Sequence, residues 1–181
     1  MAILTTDLKY KLSTTAGSAG NTLAQGTPAN SLGKYVATTV VDQGVTLHNL
    51  FPKLTGPQNA ASVVHYLLVF VHNDHATLTA EALAVWIDSQ VSGGASIAIG
   101  LDPAGNVVKG SASAQAATIA SITDAPAGVT FTAPTDYAGG LVVGDLQAGY
   151  VRGVWVRRTA ANTAAKDADG ATLKVQSDTA E

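Results

Sequence analysis

SVVHYLLVFVH, residues 62–72, decides how the rest of the chain is read. It is rich in β-branched and aromatic residues and holds no glycine or proline, which favours an extended strand. Strand side chains alternate between two faces. Here both sets are apolar: Val63, Leu67, Val69 and Val71 on one side, Val64, Leu68 and Phe70 on the other. A strand in a two-layer sandwich normally keeps one face wet. This one demands cover on both, and the outer cover is expected from the N-terminal segment, a helix or another subunit. The run is too short to cross a bilayer and is interrupted by His65.

Working outward, LTAEALAVWIDSQ (residues 78–90) alternates Leu83, Val85 and Ile87 with Ala82, Ala84 and Trp86, which predicts a second strand ended by Gly93-Gly94. ASIAIGL (residues 95–101) is a third, closed by a DPAGN turn. GVTFTAP (128–134) and GLVVGDL (140–146) read as short strands and GYVRGVWVRRTA (149–160) as a long one. ATLKVQS (171–177) follows an Asp-Gly turn as the last. Upstream, KYVATTVV predicts a strand over residues 35–41, and residues 45–58 predict a helical turn or an anchoring loop. STTAGSAGNTLAQGTPANSLG, residues 13–33, has no period of either kind. The expected fold is all-β: an antiparallel β-sandwich or jelly roll of eight or nine strands over residues 61–181, preceded by an extended N-terminal arm and anchoring segment over residues 1–60.

Only 13% of the 181 residues are charged, about half the usual share. Ala, Thr, Gly and Ser fill the gap, and such a surface suggests contact with another protein. The net charge is −3 and no run of cations occurs, so neither nucleic acid nor a membrane is an expected partner. The arginines of YVRGVWVRR, residues 150–158, read as outward residues of a strand. The absence of cysteine excludes thiol catalysis, disulfides and Cys-ligated zinc. MAILTTDLKYKL lacks the layout of a secretory signal.

The one convergence of reactive side chains is VHNDHATLT, residues 71–79, with His72, Asp74 and His75. His72-x-Asp74 has the spacing that opens a 2-His-1-carboxylate iron site, but that site needs a histidine from a distant strand. The other histidines are His48 and His65, and His65 should point away from His72. The segment therefore reads as a turn in which Asn73 and Asp74 bond nearby amides. KDADG (166–170) fails as a calcium loop, because Ala165 and Gln176 fall where ligands belong. Glu81 and Asp88 lie roughly 23 Å apart on an extended strand, too far for a paired acid and base. Trp86 and Trp155 read as core residues rather than a sugar platform. No enzyme and no cofactor is expected.

The succession YLLVFVHNDHATLTAEALAVWI, IAIGLDPAG, APAGVTFTAP and LQAGYVRGVWVRRT resembles structural proteins encoded in tailed-bacteriophage virion gene clusters, over residues 35–175. The resemblance implies a β-sandwich capsid decoration or cement protein, made in the host cytoplasm and located in the virion. Its partners would be the major capsid protein or other virion proteins, with self-association as a dimer or trimer. Leu47, Leu50 and Phe51 are the expected anchors of the arm, and Arg152, Trp155 and Arg157 the expected contacts. The alternative is a neck, tail-fibre or baseplate module that binds a receptor or glycan in a groove near Trp86 or Tyr137.

Overall fold

The computed structural model describes residues 3–18, 22–43, 48–164, 166 and 169–178. Its eight strands are β1 (Leu8–Thr14), β2 (Tyr35–Val40), β3 (Val64–Asn73), β4 (Ala80–Gln90), β5 (Ser96–Val108), β6 (Leu141–Leu146), β7 (Tyr150–Thr159) and β8 (Ala171–Asp178). They form an antiparallel sandwich, with a five-stranded sheet ordered β2-β1-β3-β7-β5 and a three-stranded sheet ordered β6-β4-β8.

β3 lies at the centre of the large sheet, between β1 and β7. Its two apolar faces feed two separate cores. Leu67, Val69 and Val71 pack with Leu83, Val85 and Ile87 of β4 between the sheets. Leu68 and Phe70 pack on the opposite, outer face with Val36, Val151 and Trp155. That outer core is closed by the chain itself. Residues 110–134 cross it as a long irregular segment and contribute Ala116, Ile119, Val129 and Phe131. The cover is tied down by backbone bonds from Ile119 to Leu32, from Tyr66 to Ile122 and between Ile99 and Thr132. It lies so close to β5 that a Cβ on Gly100 would stand 2.5 Å from the Thr130 carbonyl oxygen. The doubly apolar strand, whose outer cover is expected from the N-terminal segment, a helix or another subunit, finds it mainly in residues 110–134 of the same chain.

Three expectations about the strands change. Residues 1–60 are not one arm. β1 sits inside the large sheet with Leu12 buried, and β2 is its edge. LKYKL alternates Leu8, Tyr10 and Leu12, which face the inter-sheet core, with Lys9 and Lys11, which lie on the outer face at one end of the sheet. β5 does not stop at Leu101. It continues to Val108 through a register shift between Leu101 and Asn106, as a bulge permits. GVTFTAP is not a strand but part of the cover, joined to β5 only by the bridge between Ile99 and Thr132. The 45–58 region supplies a short helix, α1 (Gly56–Ala60), opened by a Thr55–Gln58 capping box. Asp167 and Ala168 of the expected turn before β8 fall outside the described residues.

Candidate functional site

The HNDH turn follows β3 at one end of the large sheet. Asn73 is fully buried and holds the turn together. Its Nδ2 donates to the carbonyls of Leu78 and Leu146, each at 2.8 Å, and its Oδ1 accepts from the His75 amide at 3.1 Å. His75 Nδ1 accepts from the amides of Thr77 and Leu78 at 3.1 and 2.9 Å. Asn73 therefore plays the expected part of a turn residue. Asp74 does not, because its Oδ2 pairs with Lys9 of β1 rather than with a nearby amide. That ammonium holds the Asp74 carboxyl below its usual range. Among the described residues no group of three His, Cys, Asp or Glu side chains is arranged to hold a metal ion.

His72 points the other way from His65, as its seven-residue offset predicts. It is 1% exposed, and its Nδ1 lies 3.4 Å from Asp74 Oδ1 without a hydrogen-bond partner. Burial and the nearby Lys11 push its pKa down to about 4, so the ring is neutral near pH 7. Lys11 is 6% exposed on the same outer face, diagonally across from His72 in the β1–β3 register. Burial lowers its pKa, and the neighbouring Lys109 ammonium lowers it further. Lys109 enters from the end of β5, where its amide bonds the Gly149 carbonyl. Three strands thus bring Lys11, His72 and Lys109 to one spot, beside the Lys9–Asp74 pair. No spacing within the sequence marks this cluster, since it is assembled across 98 positions.

His65 faces the sandwich interior, buried, and accepts a 2.8 Å bond at Nδ1 from Arg158 Nη2. The same arginine donates to the Pro52 carbonyl at 2.9 Å, and its guanidinium carbon lies 4.6 Å from the centre of the Phe51 ring. Burial brings the Arg158 pKa down to about 10.

The expected partner contacts are scattered. Leu47 lies outside the described residues. Leu50 and Phe51 do anchor, but onto their own domain: Leu50 is in the inter-sheet core and Phe51 is held under Arg158. Trp155 offers no contact surface, being wholly buried with its indole bonded to Asp102. Its reading as a core residue is the one that fits. Trp86 is also buried, in an edge-on contact with Tyr137. Arg157 is half-buried against the Phe131 ring, at 5.1 Å, and so clasps the cover. Arg152 is half-buried on the inner side, and its Nε has no partner. The structure does not bring the five described residues together.

Compared with protein-family models, with curated proteins and with solved structures, the chain finds no match.

Proposed function

We propose that this protein is a non-enzymatic structural component of a tailed-phage virion, a decoration protein that binds the assembled head. The resemblance of residues 35–175 suggests the class, and the charge-poor sandwich suits it. Buried polar side chains are spent on clamping loops: Asn73 holds a turn, Asp102 holds the cover, and Gln115 bonds the Val36 amide at 2.7 Å and the Val108 carbonyl at 3.1 Å. A rigid shell-binding module needs such clamps, because every degree of freedom lost on docking weakens binding.

The observation that carries the reading is β8. It pairs with β4 on one side, while its other edge has no backbone partner among the described residues. Thr172, Lys174 and Gln176 stand exposed along it. A free edge is a template for pairing with another chain. Docking only to the assembled lattice would stabilise that lattice by linkage, multiplied over many copies.

The test is co-sedimentation with undecorated heads. The protein is expected to pellet with heads to a saturable occupancy, and Gln176→Cys, in a chain without cysteine, to cross-link to the shell subunit. Protein that stays in the supernatant at all concentrations would end this reading.

A further inference from the structure

Lys11, a residue 6% exposed, and Lys109 bring two ammonium groups close together at the end of the outer face. Such a pair normally carries its own carboxyl partner, because a buried uncompensated charge is costly. Here the nearest one is shared: Asp74 acts on Lys11, but its Oδ2 pairs with Lys9 and its Oδ1 lies 3.4 Å from His72 Nδ1, while Asp102 is bonded to Trp155, Ala104 and Ala117. Beside the two lysines, His72 Nδ1 is buried with no hydrogen-bond partner. The groups facing one another are therefore Lys9 and Lys11 from β1, His72 and Asp74 from β3, and Lys109 after β5. With His72 neutral they sum to +2.

We propose that Lys11, Lys109 and His72 form a binding site for a small oxyanion of the phosphate type. Three donors arrive from three strands, so an anion with several acceptor oxygens satisfies them together where one acceptor atom would serve fewer. The bound anion also relieves the repulsion between the ammonium groups. The half-buried Lys109 and the exposed Asp74 form the rim, which gives the anion a path from solvent. This inference does not depend on the virion reading.

The test adds inorganic phosphate to the whole protein at constant ionic strength, following the imidazole signals of His72 by NMR and the melting temperature. Phosphate is expected to shift the His72 signals saturably, to raise the pH at which His72 titrates and to raise the melting temperature. Lys109→Met should abolish the saturable response. Lys53→Met, which removes the same charge from an exposed position, should keep it. Without phosphate, Lys109→Met should melt above the parent, because Lys11 loses its like-charged neighbour, and a purely structural lysine would give the opposite. The proposal is overturned if sodium chloride at equal ionic strength shifts His72 as much as phosphate does, or if Lys53→Met loses as much as Lys109→Met.

Discussion

Trp155 donates its indole N–H to Oδ2 of Asp102 across 2.8 Å, and both side chains are fully buried on the outer face of the large sheet. The same carboxyl group accepts the Ala117 amide of the cover and the Ala104 amide of the β5 bulge, each at 2.9 Å. One side chain thus joins β7, β5 and the segment that closes the second core.

Replacing Asp102 with Ala strands the buried Trp155 indole and the part-buried amide bonds of Ala104 and Ala117, at an expected cost of about 3 kcal/mol. Urea unfolding measures it. A loss below 1 kcal/mol would mean that the cover is held by apolar contact alone.

Gly100 allows the cover to lie flat, since an added Cβ would sit 2.5 Å from both the Thr130 carbonyl oxygen and Val129 Cγ1. Gly100→Val should destabilise by about 1–3 kcal/mol and expose Phe70 and Leu68 enough to increase binding of a hydrophobic dye. Unchanged dye binding and stability would show that residues 128–132 do not rest on β5.

Leu12→Ala should cost about 2–5 kcal/mol, the range for a leucine truncated in a packed core. A chain lacking residues 1–14 should fail to fold, because β3 loses its neighbour in the sheet. A truncated chain that kept the parent's circular dichroism and melting temperature would return β1 to the status of an arm.

His72 makes stability depend on pH. Its pKa falls from 6.5 to about 4 on folding, a difference of on the order of 3 kcal/mol. Above pH 6.5 the ring is neutral folded or unfolded and contributes no pH dependence. Between 6.5 and 4 the unfolded chain takes up a proton that the folded chain refuses, so stability falls as pH falls and levels out below about 4. Asp74, with its lowered pKa, adds a loss in the same direction at more acid pH. In phosphate-free buffer His72→Gln should flatten the dependence between pH 6.5 and 4. An equal slope in both proteins would remove His72 as the cause.

Arg158→Met should release residues 50–54, which the guanidinium holds through the Pro52 carbonyl and the Phe51 ring. Limited proteolysis should then cut near Lys53 faster than in the parent. Equal cleavage rates would show that Leu50 alone keeps the segment in place.

Much of the fold could be read from alternation. β8 alternates exposed and half-buried positions, while β3, β4 and β7 show as apolar, β-branched runs, and each forms close to where its sequence predicts it. β1 has a regular alternation but is short and is followed by the patternless residues 15–33, so its place inside the sheet depends on pairing with the distant β3. The HNDH turn was legible because asparagine bonds amides two residues on, a local interaction. The basic cluster was not, since its members meet only through the order β1-β3-β7-β5.

The chain's own pattern determined that there would be strands, roughly where they lie, and that the central one would be apolar on both faces, because these are properties of neighbouring residues. What covers the second face was decided only in three dimensions. Hydrophobic burial is indifferent to its source: a subunit, an arm or a loop satisfies it equally. Residues 110–134 succeed because Asp102, Gln115 and the bare Cα of Gly100 let them bond and lie close where the sheet has folded, a relation between distant positions that no local period encodes.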